Sequence, residues 1–250
     1  MAEYDNISLQ YKEATSTEEG LCRLYVENYT YFKIMGDITG TSILDLACGE
    51  GFYTRKFKQK GAAKVVGVDI SEKMLELARE EEIQEPLGLE FLQGDVCDLG
   101  KIERFDLVVA SYLLNHASSK EKLQQMCQSI WENLKPGGRF VSMNNNLEQP
   151  PESYRKLNKY GYTKSISAPL AEGTPINVIF INPVDGKKFS VEDYYLSKET
   201  YEWAFRSVGF KEIRWHSPIV SPEGIEKFGQ EFWQDFIDYP PIIGIECWKS

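Results

Sequence analysis

Two glycines, Gly49 and Gly51, follow directly on an aliphatic run at residues 43–46 in the stretch ILDLACGEGFYTRKF. Glycine at such a point lets the backbone turn tightly and lets a ligand rest on bare main chain. Eighteen residues beyond Gly51 a second aliphatic run, KVVGVDI, carries Asp69 near its end. A carboxylate there is positioned to accept two hydrogen bonds from the hydroxyls of a ribose, and it serves a nicotinamide dinucleotide and a methyl-donor nucleoside equally. The dinucleotide fingerprint G-x-G-x-x-G asks for a third glycine for close helix–strand packing. Aligned on Gly49 and Gly51, this chain has Thr54 in that place, which disfavours a bound pyrophosphate. A tight strand-to-helix connection with no ligand is the plainer alternative.

Few other residues have the type and setting for catalysis. His116, in LLNHA, follows an aliphatic run, and an imidazole with an ordinary pKa of about 6.5 suits proton removal at neutral pH; capping the next helix would explain it as well. His216 lies in KEIRWHS and reads as structural. The 5 cysteines are scattered and include no C-x-x-C pair. They fit reduced thiols in a cytoplasmic protein, with neither a disulfide framework nor a metal site expected. The net charge of −10, with no basic run, argues against a nucleic-acid partner, because such binding draws on neutralised phosphates. No segment reaches the roughly 18 consecutive apolar residues of a membrane span, and the opening MAEYDNISLQYKEA has neither a basic start nor an apolar core of a signal peptide. A small-molecule ligand and a monomer or homodimer are expected.

The elements that must position these groups alternate along the chain. SILDLA, KVVGVDI, LEFLQGD, FDLVVAS and RFVSMNN read as strands covered on both faces. Between them GFYTRKFKQKG is a helical pattern closed by Gly61, and SEKMLELAREEE is a helix capped by Ser71 with Met74, Leu75 and Ala78 on one stripe. A further helix is expected from about 118 to 134, followed by the turn KPGG. Strands joined by helices imply right-handed crossovers and a doubly wound, mainly parallel α/β sheet. Residues 1–40 read as an aromatic-rich helical segment. From about 147 to 196 the rhythm breaks into Pro-, Gly- and Tyr-rich sequence with alternating runs such as NVIFIN, as in an insertion with hairpins. A helix, SKETYEWAFRSVGF, then returns, and KEIRWHS and PIIGIECWK supply two last strands.

Taken together, LDLACGEG, VVGVDIS, LQGDV, FDLVVASYLLNHA and LKPGGRF resemble, in order and spacing, the five core motifs of the class I S-adenosylmethionine-dependent methyltransferases. The resemblance covers roughly residues 40–145; Ala47 stands where many members have a first glycine. YDNISLQYKE, ACGEGFYTRKFKQKGAAKVVGVDISEKML and YLLNHA are similar to the small-molecule group labelled toxoflavin-synthase-like or methyltransferase type 11-like. The resemblance implies a Rossmann-like seven-stranded sheet, with an N-terminal helical lid at 1–40 and a methyltransferase domain at 41–250 carrying a substrate-side insertion at about 147–196. The activity implied is transfer of a methyl group from S-adenosyl-L-methionine, leaving S-adenosyl-L-homocysteine, to an O or N atom of a small metabolite or natural product.

Residue by residue, the resemblance puts Ala47, Gly49 and Gly51 along the methionine portion of the cofactor, with Asp45 facing its amino group and Asp69 its ribose. Ile70 and Met74 would pack on the adenine, Asp95 would meet its amino group and Val96 would add a backbone contact. Ser111 and Tyr112 would face the transferable methyl, and His116 would be the base. Tyr11 and Tyr29 would come over the cofactor from the N-terminal segment, Tyr11 binding cofactor or substrate, and Tyr154, Tyr160, Tyr162, Lys164 and Asn177 could line the insertion side. An NAD-dependent oxidoreductase shares the turn and Asp69 but not the third glycine. A DNA amino-methyltransferase would need an Asn/Asp-Pro-Pro-aromatic loop where this chain has SYLLN.

Overall fold

The computed structural model describes residues 3–16, 20–181 and 186–250. Its first five strands are β1 (Ser42–Leu46), β2 (Lys64–Asp69), β3 (Glu90–Gln93), β4 (Phe105–Ser111) and β5 (Leu134–Asn145). Then come β6 (Tyr162–Ile166), β7 (Thr174–Ile181) and β8 (Lys188–Tyr195), and finally β9 (Phe210–His216) and β10 (Ile242–Lys249). The helices are α1 (Ser8–Ser16), α2 (Asn28–Met35), α3 (Phe52–Gln59), α4 (Glu72–Gln84), α5 (Lys120–Glu132), α6 (Lys198–Val208), α7 (Pro222–Phe228) and α8 (Gln230–Asp238). Among the described residues no helix is long and apolar enough to cross a membrane.

Seven strands form one sheet in the order β3-β2-β1-β4-β5-β10-β9. The first five pair in parallel and β10 runs antiparallel to both of its neighbours. Alternation along each strand divides the core into two faces, as the pleat requires. Leu44, Leu46, Val66, Val68, Val108 and Ala110 point to the side covered by α5 and α6, where Met126, Ile130, Tyr201 and Phe205 meet them. Ile43, Val65, Leu107, Val109 and Val141 point to the other, against Tyr31 and Met35 of α2, Phe57 of α3 and Trp233 of α8. Both faces are therefore dry, which explains why these strands read as nearly unbroken aliphatic runs.

The ends of the elements follow their local chemistry. Ser71 caps α4 by accepting the Met74 N–H, and Ser119 and Ser197 cap α5 and α6 in the same way. Gly61, at φ +94°, follows the last residue of the α3 cap. The KPGG stretch, expected as a free turn, is drawn into the start of β5, with a register shift against β4. Helices α7 and α8 were not expected. They sit between the last two strands, with the indole N–H of Trp233 donating to the Gly224 carbonyl at 2.9 Å.

Residues 151–181 and 186–195 include a 3-10 turn (Pro151–Tyr160) and a separate antiparallel sheet, β6-β7-β8. In the N-terminal segment, a 3-10 turn (Glu3–Asn6) precedes α1, and a π-helical turn (Arg23–Glu27) leads directly into α2. The 3-10 turn is tied to α4: the Ser71 hydroxyl donates to Asp5 Oδ1 at 2.7 Å.

The register sets the functional edge. Leu46 pairs with Val68 on one side and with Ala110 on the other, so β1, β2 and β4 end level. The order reverses at β1/β4, and ligands bind outside strand ends at such a switch point. Close packing beneath this edge needs Gly67, where a Cβ would lie 2.8 Å from Cys48 Sγ and 2.9 Å from the Phe91 ring. Gly67→Ala is expected to lower stability by about 1–3 kcal/mol through overpacking, which urea unfolding of the two proteins measures.

Candidate active site

The loop leaving β1 is held in unusual backbone conformations. Ala47 has φ +56°, Gly49 φ +56° and Gly51 φ +82°, and at the end of β4 Tyr112 has φ +62°. Left-handed conformations are unfavourable for residues with a Cβ, and they cluster where surrounding contacts enforce them. The contacts here are explicit. The Cys48 N–H donates to the Val68 carbonyl at 3.0 Å, Gly51 N–H to the Cys48 carbonyl at 3.0 Å, and Tyr112 N–H to the Met143 carbonyl at 2.8 Å. Asp69 closes the arrangement, its Oδ2 accepting from Gly49 N–H and its Oδ1 from Ser71 N–H, both at 2.8 Å.

These turns border a crevice of about 510 Å³, a size usual for sites that bury a ligand of drug size or larger. Ala47, Gly49, Asp69, Ile70, Met74, Asp95, Val96, Ser111 and Tyr112 all line it, together with His116, Tyr4 and Tyr11. Asp69 is 8% exposed. Burial raises its pKa, against the lowering effect of the Ser71 and Gly49 N–H groups; Glu50 adds to the rise and His116 opposes it. An ionised carboxylate offers about four acceptor positions and two are spent on the backbone, so it retains capacity for a pair of hydroxyls. Ile70, half-exposed, and buried Met74 supply apolar surface on the same side. Asp95 Oδ1 accepts the Cys97 N–H at 2.9 Å, which orders the turn after β3.

Three of the expected residues do not line this crevice. Asp45 lies behind the turn, 3% exposed, accepting the Thr54 hydroxyl at 2.6 Å. Gly51 starts α3 and packs toward Phe91 and Ala78, the nearest atoms to an added Cβ at 3.1 and 3.3 Å. Tyr29 lies on α2 with the Lys33 ammonium 5.5 Å from its ring centre. From the insertion, Tyr160 and Tyr162 reach a second cavity, whereas buried Lys164 bonds to Gln149 Oε1 and the Pro241 carbonyl.

That second cavity, about 80 Å³, shares Tyr4, Tyr11 and Tyr112 with the crevice and lies between the N-terminal segment and the β6-β7-β8 sheet. The Tyr11 ring meets Phe180 of β7 edge-on at 5.7 Å and Tyr4 at 5.4 Å, and Tyr4 in turn meets His116 at 5.8 Å. Burial pushes the Tyr11 hydroxyl up to about 12, against the pull of Arg23. His116 Nδ1 lies 3.2 Å from the Glu192 carbonyl and 3.5 Å from Asp193 Oδ1, which leaves the other ring nitrogen outside this contact. Asp193 Oδ2 accepts from Asn145 Nδ2 at 2.6 Å. Arg23 pairs with Glu50 at 3.0 Å, both largely buried.

Sequence reasoning missed Arg23, Glu27, Asn145 and Asp193. An arginine and a glutamate inside the aromatic run CRLYVENYTYF were a visible signal, since charges are rarely placed among buried aromatics without a partner. Asp193 follows from β8 alternation only once the pairing of that sheet is known.

Comparison with known proteins gives this geometry its class. Residues 43–138 match the family described as methyltransferase domain. Over 114 residues the chain is 40% identical to the demethylmenaquinone methyltransferase of Lactococcus lactis subsp. lactis, covering 44% of each chain. It is 30% identical over 114 residues to a ubiquinone biosynthesis O-methyltransferase of Coxiella burnetii, covering 44% of this chain and 47% of that one. The matched segment thus spans less than half the length of these curated relatives. The crystal structure of an S-adenosylmethionine-dependent methyltransferase from Clostridium acetobutylicum superposes with a TM-score of 0.65 at 17% identity, over 99% of each chain. The fold is that of the class I methyltransferases. Residues 43–138 are thus similar to a methyltransferase domain, set in a fold shared with S-adenosylmethionine-dependent methyltransferases.

The residues present fit that cofactor. The crevice has the volume, Asp69 has acceptor capacity, and a Cβ at Gly49 would meet nothing within 4 Å, so the main chain there is open.

Asp45 offers a separate test of the turn's packing. Burial first, then Asp69 and Glu50, push its carboxyl up to about 7, with the Thr54 hydrogen bond opposing. The folded protein therefore holds a proton that the unfolded chain releases near 3.8. The stability contributed is complete below that value and is lost as pH rises toward about 7. In parallel urea titrations the parent protein should lose stability relative to Asp45→Asn across that window; a constant difference would contradict the assignment.

Proposed function

We propose that this protein transfers a methyl group from S-adenosyl-L-methionine to an O or N atom of a small metabolite. One observation carries the reading: the crevice at the level ends of β1, β2 and β4 adjoins a small aromatic cavity through the shared walls Tyr4, Tyr11 and Tyr112. A donor in one and an acceptor in the other would meet at Tyr112. Against a dinucleotide stands Thr54, whose side chain fills the place of the third glycine and is bonded to Asp45.

When bound, the cofactor supplies a methyl group already activated on a sulfonium sulfur. The chain's task is then to bind and align. Asp69 would accept the ribose hydroxyls, Ile70 and Met74 would pack on the adenine, Asp95 and Val96 would flank it, and the Ala47–Gly49 main chain would border the methionine end. Ser111 and Tyr112 would border the place of transfer. Gly51, Asp45 and Thr54 act one layer back, holding the turn. Alignment of this kind is worth roughly 7–11 kcal/mol of barrier when the reacting atoms are well oriented.

His116, oriented by Glu192 and Asp193, would remove or relay the acceptor's proton, an effect worth about 10²–10⁴-fold in rate. Tyr4 and Tyr11 would close the N-terminal segment over the site and exclude water, as a lid does. Tyr29, which lines neither cavity, would act only through the packing of α2.

Two variants separate binding from chemistry. Asp69→Ala should weaken S-adenosylhomocysteine binding by about 1.5–3 kcal/mol in calorimetry, the value of hydrogen bonds to a charged acceptor. His116→Ala should leave that affinity nearly unchanged while slowing labelled-methyl transfer to a metabolite extract. Unaltered affinity in the first, or unaltered rate in the second, would remove the corresponding role.

A further inference from the structure

The small cavity has walls of a definite chemistry. Its apolar surface is mostly aromatic and flat: Tyr11, Tyr160, Tyr162 and Phe180, with Tyr112 at the junction to the crevice. Its volume of about 80 Å³ is roughly half that of an engineered cavity of about 150 Å³ that takes up benzene. It therefore has room for no more than one small ring, and a fused or long-chain compound does not fit.

Glu27 stands in this wall, 9% exposed, on the π-helical turn Arg23–Glu27. Such turns widen a helix locally and recur at functional sites. The Tyr53 hydroxyl donates to the Glu27 carboxylate at 3.5 Å, and Tyr112 stands in the same wall. Burial raises the Glu27 pKa, and the nearby Arg23 charge opposes the rise most strongly. One such donor does not exhaust a carboxylate's roughly four acceptor positions.

The charged groups around the cavity are three acids and two bases. Glu27 is set against Arg23, which itself pairs with Glu50 at 3.0 Å, and Asp193 is set against Lys164. The excess is acidic, so an anionic occupant is disfavoured, because it would lose its hydration and meet carboxylates in place of a counter-charge.

We propose that this cavity is the acceptor subsite and that it takes a non-anionic, single-ring aromatic or heteroaromatic compound whose O–H or N–H donates to Glu27. Glu27 is then the residue that sets substrate class, and a ring of the same shape lacking the donor is rejected. The proposal rests on the methyltransferase reading of the adjoining crevice, and it concerns binding, so it can be read without turnover.

The test uses the full chain saturated with S-adenosylhomocysteine, titrated by NMR with phenol, toluene and benzoate as probes. Phenol and toluene differ by one hydroxyl for one methyl. Phenol is expected to bind about 10-fold or more tightly than toluene, as for a hydrogen bond to a charged group. In Glu27→Gln, which keeps the shape, that preference should shrink at least several-fold while toluene binding and S-adenosylhomocysteine affinity stay level. Equal binding of phenol and toluene, or an unchanged preference in Glu27→Gln, would overturn the proposal while leaving the methyltransferase reading intact. Tighter binding of benzoate than of phenol would overturn the exclusion of an anion. Failure of S-adenosylhomocysteine to bind would overturn the crevice reading and this proposal with it.

Discussion

The site depends on the Asp69 carboxylate holding two backbone N–H groups at once, one from the turn after β1 and one from the start of α4. This clamp joins two segments that the sheet brings together only because β1 and β2 end in register. It also offsets the strain beside it, since left-handed backbone at a residue such as Ala47 costs on the order of 1–2 kcal/mol. Without the clamp, the main chain of Ala47–Gly49 would have little reason to stay open toward the crevice. Tyr112, at the end of β4, is held in the same conformation by its own bond to Met143.

Around this fixed edge the rest of the chain builds a second wall. The N-terminal 3-10 turn is tied to α4 through Asp5 and Ser71, and α1 brings Tyr11 against Phe180 of the smaller sheet. Elements from both ends of the sequence order thus meet over one strand edge. The π-helical turn contributes Arg23 and Glu27 to the same place, and the Arg23–Glu50 pair links it back to the glycine turn. A charged pair this buried is costly unless well bonded, and here it joins the wall of the cavity to the loop that borders the crevice.

Much of this was legible in residues alone, for a physical reason. Strands covered on both faces must be aliphatic throughout, so KVVGVDI and FDLVVAS announce themselves, and the Ser71 cap and the Met74, Leu75 and Ala78 stripe follow from helix geometry. Crevice residues at the strand ends were legible because they are adjacent in sequence to those strands. What stayed hidden depended on tertiary pairing. Asp193 and Asn145 meet at 2.6 Å from strands in different sheets, and Glu27 belongs to the site only because a helix from the N-terminus lies across it. Asp45 shows the opposite limit: a position one residue before Leu46 in the strand, near the turn in sequence, yet facing Thr54 and the packing behind it. Helices α7 and α8 escaped because each is short, 7 and 9 residues, although Phe232, Trp233, Phe236 and Ile237 recur at helical spacing in α8.

The central claim is that the strand-end crevice holds the adenosyl group with its ribose on Asp69. A crystal structure of the protein with S-adenosylhomocysteine tests it most directly. The account predicts both ribose hydroxyls within hydrogen-bonding distance of the Asp69 carboxylate and the sulfur pointing toward Tyr112. An adenosyl group bound elsewhere, or a ribose that leaves Asp69 bonded to Gly49 and Ser71 alone, would contradict it.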